Sequence, residues 1–270
     1  VINGHPAINL ERVRTVNELG RFLTYTLGVS VKNPPVYAGR LEPAHLQALV
    51  HACMLGQSHT SHVVHQWLAS GVDMEDVYLK GIEPVARLLG QWWCDDKIDF
   101  ASATLAFTRL RQLLFDLSPL FLMDAAEQAR GLRCFSVGEF QAQHTMGMFM
   151  VAEFFRRNGW QVDLHECESD DELLRKISSD WFDLMAISFS CEKQVPLMRR
   201  LIPEIRKASA NPQLKIIAGG ALLNVCPEIV TGLGVDLMTQ DVREAQKMAF
   251  NLVSEALDER KHDLTFSNVN

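Results

Sequence analysis

The chain has 270 residues, 47% hydrophobic and 22% charged, with a formal net charge of −7, a sequence pI near 5.7 and a mean hydropathy close to zero. That is room for one large domain or two ordinary ones with cores of their own, and no run of Lys and Arg is dense enough for the basic face of a direct nucleic-acid binder. Six scattered cysteines (Cys53, Cys94, Cys134, Cys167, Cys191, Cys226) form no C-x-x-C pair, which argues against a zinc site or disulfide framework and implies a reducing cytoplasm.

No apolar run is long enough to span a bilayer, and the sequence from Val1 carries no signal-peptide pattern. The spacing predicts an N-terminal helix over residues 9–27, followed by the Pro/Gly linker VKNPPVYAGR, so residues 1–37 form a separate leading segment. LEPAHLQALVHACMLG then opens with proline just inside a helix start and closes on glycine. HTSHVVHQWLASG and DMEDVYLKGIEPVARLLGQWW continue the helical period. DFASATLAFTRLRQLLFDLSPLF follows with Asp99 as its N-cap. Residues 38–128 therefore read as a bundle of four or five helices.

After residue 130 the period changes. LRCFSV, WQVDLH, DLMAISF, LKIIAGG and VDLMT are short apolar runs suited to buried parallel strands. Helical segments separate them: HTMGMFMVAEFFRRNG, SDDELLRKISSD, VPLMRRLIPEIRKAS and a shorter piece through PEIVTGLG. A last helix, DVREAQKMAFNLVSEALDER, closes the fold. The basic stretch from Lys193 to Lys207 reads as a solvated face of one of these helices. Residues 129–260 are thus expected to form a doubly wound, Rossmann-like parallel sheet of five strands, with 261–270 a peripheral tail.

Ligands on such sheets sit outside the carboxyl ends of the strands. Three features fall there: His144-Thr-Met-Gly147 after the first strand, Ser188-Phe-Ser190 after the third, and Ala218-Gly219-Gly220 after the fourth. Each alone has an ordinary structural explanation; the fold places them on one edge. The turn VGEFQAQHTMG lacks the G-x-G-x-x-G spacing of a dinucleotide site, and no aspartate pair or phosphate-binding turn marks a receiver or flavodoxin-like domain. A loop imidazole can hold a metal, and a glycine three residues later lets a bulky planar group approach the backbone.

On these residues the second half resembles the cobalamin-binding domain family. Its members carry an Asp-x-His-x-x-Gly loop after the first strand, a serine-containing end to the third and Gly-Gly after the fourth. The resemblance implies that His144 is the lower axial cobalt ligand and that Gly147 gives clearance. It further implies that Ser188 or Ser190 meets the displaced dimethylbenzimidazole tail, and that Ala218, Gly219 and Gly220 border the nucleotide end. The family's aspartate position is Ala142 here. Glu139, Gln141 and Gln143 are the residues able to orient His144 in its place.

A helical bundle ahead of such a domain is also found in methionine synthase, corrinoid methyltransferase proteins and cobalamin photoreceptor repressors, where it covers the upper face of the corrin. In GQWWCDDKIDFASAT, Trp93 matches the photoreceptors' pocket tryptophan, with Phe100 packing below it. Their Glu-His pair is replaced by Ala103 and Thr104. Trp92 reads as a core or interface aromatic. With no DNA-binding module, the combination is similar to the PpaA/AerR-type antirepressors of photosynthesis genes. This resemblance implies adenosylcobalamin in the dark and hydroxo- or aquocobalamin after light. It also implies action on a PpsR/CrtJ-type transcriptional repressor, and a regulator rather than an enzyme.

Two alternatives stand beside it, a corrinoid-carrying subunit of a methyltransferase system and a haem-binding redox sensor. The second rests on His59, His62 and His65. Successive members of this trio are neighbours on a helix, but the outer two diverge by about 120° around the axis, so all three do not converge on one ion. A solvated or interdomain face is the plainer reading of the trio.

Overall fold

A computed structural model describes residues 40–123, 131–137, 145–164, 169–189 and 192–267. The expected N-terminal helix and most of its linker lie outside the described residues. The chain divides into two compact units, Val1–Leu117 and Ser118–Asn270.

The first unit is helical: α1 (Pro43–Leu55), α2 (Gln57–Ala69), α3 (Met74–Asp76), α4 (Glu83–Cys94) and most of α5 (Phe100–Phe121). Pro43 occupies the first turn of α1, where its missing N–H costs nothing, and Gly56 follows the last residue. Arg109 from α5 donates to the carbonyls of Cys53 and Met54 at 2.6 and 2.9 Å, satisfying acceptors that the end of α1 leaves open. Asp99 caps α5 as expected, its carboxylate accepting from the Ser102 N–H at 2.6 Å. That bond holds the Asp99 carboxyl below the usual carboxylate range. Leu49, Val64, Tyr78, Ile82, Leu89, Leu110 and Leu113 form the buried interior.

The segment 73–93 differs from its expected single helix. A π-helical turn spans Val77–Ile82, with the Glu83 N–H reaching back five residues to the Tyr78 carbonyl. Pro84 has no N–H and its ring crowds the carbonyl four residues before it, so the local widening accommodates the proline without breaking the rod. Within the turn, a Cβ on Gly81 would lie 2.7 Å from the Trp67 ring, so the helices approach through a glycine.

The second unit is the doubly wound sheet. β1 (Arg133–Val137), β2 (Gln161–Leu164), β3 (Leu184–Ser188), β4 (Lys215–Gly219) and β5 (Leu237–Met238) are all parallel, in the order β2-β1-β3-β4-β5. Between them run α6 (Thr145–Arg157), α7 (Asp170–Ser179), α8 (Gln194–Ala208) and α9 (Ala221–Val225) with a 3-10 turn at Pro227–Val230; α10 (Val242–Ser267) ends the chain's described part.

Strand alternation divides the interior into two layers. Phe135, Met185, Ile187, Ile216 and Ala218 pack under α7, α8 and α9 with Leu173, Ile177, Met198, Ile202 and Leu222. Cys134, Leu184, Ala186 and Ile217 pack under α6 and α10 with Phe155, Ala245, Ala249 and Val253. Both faces are covered, so the strands read as continuous apolar runs.

α6 ends in a glycine motif, with Gly159 at φ +83° and the Trp160 N–H bonded to the Phe155 carbonyl. The last turn of α5 belongs to this unit: Phe121 meets the Phe154 ring at 5.0 Å, and Arg157 donates to the Phe121 carbonyl at 2.7 Å. α10 continues to Ser267, past the expected boundary at residue 260. KHDLTF contains neither glycine nor proline, so nothing in it stops the helix.

Candidate functional site

The strand order reverses between β1 and β3, so the connections leaving their carboxyl ends diverge and open a crevice there. β3 ends at Ser188 and β4 at Gly219, and the two are register partners. The expected ligand His144, its possible orienting residues Glu139, Gln141 and Gln143, and Ser190 lie outside the described residues. They belong by sequence to the connections after β1 and β3.

Alternation along the strands puts Ser188 and Gly219 on the sheet face covered by α6 and α10, together with Ser136, which is 2% exposed. Ala218 faces the other way. It is fully buried with Phe135, Ile187 and Leu222, so it shapes the core rather than the crevice wall. The end of β3 is held by Gln194, whose side-chain amide donates to the Ser188 carbonyl at 3.2 Å and is 4% exposed. In the sequence Gln194 shows only as a polar residue at the inward position of a helix start.

The three glycines differ in why they are glycine. At Gly220, φ is +105° and a Cβ would lie 2.4 Å from the Phe189 carbonyl oxygen. The chain's own turn demands glycine there. At Gly219 a Cβ would meet the Thr239 carbonyl at 3.3 Å, a tight contact that a small shift relieves. At Gly147, exposed in the first turn of α6, a Cβ would meet nothing within 4 Å among the described residues and no left-handed backbone is needed. A glycine in a helix costs about 0.5–1 kcal/mol relative to alanine, and neither packing against the described residues nor conformation accounts for Gly147. Clearance for a bulky planar group next to the helix start does account for it, and in this respect the residues present fit a corrinoid.

Gly147→Ala is expected to raise stability by up to about 1 kcal/mol, because it adds a good helix former with no clash. Gly147→Leu is expected to fold equally well and to lose corrinoid binding. Thermal melting paired with a cobalamin titration of both variants checks the separation.

In the helical unit, the Trp93 and Phe100 rings lie 6.1 Å apart and tilted, 46% and 62% exposed. Two large aromatic side chains are thus presented together at the α4–α5 connection. Thr104 is exposed, and its hydroxyl donates to the Phe100 carbonyl of its own helix at 2.7 Å. Trp92 turns to the His51 ring, edge-on at 5.9 Å. Buried Cys53 has its thiol pushed up to about 11 by desolvation, so it is not a nucleophile.

The histidine trio on α2 does not converge. His59 and His62 are exposed, and His62 Nε2 contacts the Gln66 side-chain amide at 3.0 Å. His65 has a buried Nδ1 without a partner among the described residues. No group of three His, Cys, Asp or Glu able to hold a metal ion occurs among the described residues.

Burial, reinforced by His62 and opposed by Asp116, lowers the His65 pKa from its ordinary 6.5. The folded state then resists the proton that the unfolded chain accepts, so stability is full above pH 6.5 and is lost as pH falls below it. His65→Leu is expected to flatten this dependence, which melting curves between pH 7.5 and about 5 will read.

Residues 140–249 match the family model described as the B12 binding domain. The protein is 28% identical over 177 residues to the "Uncharacterized 20.5 kDa protein in bchF-crtJ intergenic region" of Rhodobacter capsulatus, across 66% of this chain and 92% of that one. Among solved structures, the monomethylamine corrinoid protein of Methanosarcina barkeri shares the fold at a TM-score of 0.64 with 17% identity, covering 77% of this chain and 96% of that one. The family match falls within the α/β unit, so that unit is similar to B12-binding domains. No helix among the described residues is long and apolar enough to cross a membrane.

Proposed function

We propose that this protein is a light-responsive, cobalamin-binding antirepressor of the PpaA/AerR type that acts through a PpsR/CrtJ-type repressor. The observation that carries the regulatory part is the coincidence of a B12-binding domain with a relative encoded in a bchF-crtJ intergenic region. His144 serves as the lower axial ligand, oriented by Glu139, Gln141 or Gln143 in place of the family's aspartate. Gly147 leaves the approach open. Ser188 and Gly219, side by side at the strand ends, border the path of the tail.

When bound, adenosylcobalamin supplies a cobalt–carbon bond that visible light cleaves. The exposed Trp93–Phe100 pair is what the helical unit would offer to the adenosyl group. A switch requires different contacts in its two states, and this pair is where the helical unit would supply them. Repressor affinity follows the state of the bundle.

Reconstitution with adenosylcobalamin in the dark, followed by green light, tests this reading. The expected result is a spectral change together with altered retention of the repressor. A spectrum unaffected by light rejects the photosensory role. Methylation of the bound corrin by a methylamine-activating partner would instead favour the methyltransferase subunit.

A further inference from the structure

A concavity lies on the α/β unit, away from the strand carboxyl ends. Its lining is Asn158, Trp160, Gln246, Lys247, Phe250 and Asn251, and it encloses about 210 Å³. Asn158 and Trp160 form the turn that leads α6 into the amino end of β2, while the other four residues lie on α10. The site is therefore at the opposite edge of the sheet from Ser188 and Gly219.

Trp160 and Gln246 are 3% and 6% exposed, and Trp160 Nε1 and Gln246 Nε2 are both buried without a partner. The hydrogen-bond network fixes which end of each amide is spare. The Asn158 amide nitrogen donates to the Phe154 carbonyl at 3.2 Å. The same nitrogen also donates to the Gln246 side-chain oxygen, which is thereby committed as an acceptor. Turning Gln246 over would set two NH2 groups against each other, so its free end is a donor. An indole N–H can only donate.

Two buried donors without acceptors cost about 1–3 kcal/mol each if nothing meets them. Lys247 is exposed and adds a positive charge among the lining residues. Trp160 and Phe250 add flat apolar surface. Drug-sized ligands need about 300 Å³ or more, so the occupant is smaller than that.

We infer that this concavity binds a small carboxylate, whose oxygens accept from Trp160 Nε1 and Gln246 Nε2 with Lys247 balancing its charge. Admitting it requires a side chain of the lining, such as Phe250 or Lys247, to shift, because the two donor atoms are covered. An acceptor-only anion fits better than a sugar or an amine, since both buried unpaired atoms here are donors. Because α6 and α10 both contribute, occupancy ties together the two helices that cover one face of the sheet. The inference is independent of the cobalamin reading.

The probes are acetate and benzoate, with inorganic phosphate and chloride at matched ionic strength as comparisons, titrated into the full-length protein. The readout is the indole N–H resonance of Trp160, assigned by its loss in Trp160→Phe. A saturable downfield shift with a carboxylate is expected. Gln246→Leu is expected to weaken binding about tenfold, the loss of one hydrogen bond to a charged group. Lys247→Gln is expected to weaken it and to reduce its salt dependence.

Cobalamin binding should be unchanged in all three variants, which also reports that they fold. A flat titration, meaning that water alone meets these donors, overturns the proposal. So does an unaltered affinity in Gln246→Leu. Phosphate binding as tightly as both carboxylates overturns the ligand class.

Discussion

Gly220→Ala is expected to lower the stability of the α/β unit by about 3 kcal/mol or more, and its melting temperature by roughly 6–12 °C. The new Cβ would sit 2.4 Å from the Phe189 carbonyl oxygen and 2.7 Å from its nitrogen, at a backbone φ of +105°. Neither Phe189 atom is free to retreat. Its N–H donates to the Gly219 carbonyl at 2.8 Å, and its carbonyl accepts from the Leu222 N–H at 3.1 Å.

The ends of β3 and β4 are therefore stitched through the spot a side chain would take. Gly219→Ala makes a sharp internal comparison. Its nearest obstacle is the Thr239 carbonyl at 3.3 Å, which a small movement relieves. Circular-dichroism melts of the two variants should differ severalfold in effect. Equal melts would mean that the close approach at Phe189 is wrong.

His144→Ala is expected to abolish histidine ligation below cobalt. Were His144 the proposed ligand, its removal, with no spare imidazole in EFQAQHTMG, would leave the cobalt to water or to the cofactor's own base. The protein should lose at least a hundredfold in cobalamin affinity, or retain a cofactor whose spectrum is that of the free form. Single replacements of Glu139, Gln141 and Gln143 should show smaller, graded losses of about tenfold, largest at the residue that bonds the imidazole. An unchanged affinity and spectrum in His144→Ala would remove His144 from the site.

The sheet was readable because each strand is buried on both faces and shows as a short apolar run bounded by turn residues. Arg133–Val137, Leu184–Ser188 and Lys215–Gly219 all fall inside the runs marked in the sequence. The placement of Ser188 beside Gly219 followed from the fold class, since both end neighbouring strands. The helix start at Pro43 and the Asp99 cap were legible because capping chemistry is local.

What escaped was set by tertiary contact. The π turn at Val77–Ile82 answers to Pro84 together with Trp67 packed on Gly81, and the periodicity of residues 73–93 does not show it. Ala218 and Gly219 are adjacent in sequence, yet strand alternation sends one into the core and leaves the other on the face of the crevice. Gly220 was legible as a glycine at a strand end. Its role in the turn depends on Phe189, more than thirty residues earlier in the sequence. Gly147 is the reverse case, because the sequence alone does not show that no described neighbour and no left-handed backbone calls for the glycine.

The central claim is that this chain holds a corrinoid, and the absorption spectrum of the full-length protein as purified, taken in the dark and again after illumination, tests it most directly. Corrin bands that change with light and that are altered in His144→Ala are the expected result. A Soret band lost in a His59/His62/His65 variant, or a colourless protein that cobalamin does not colour, would contradict it.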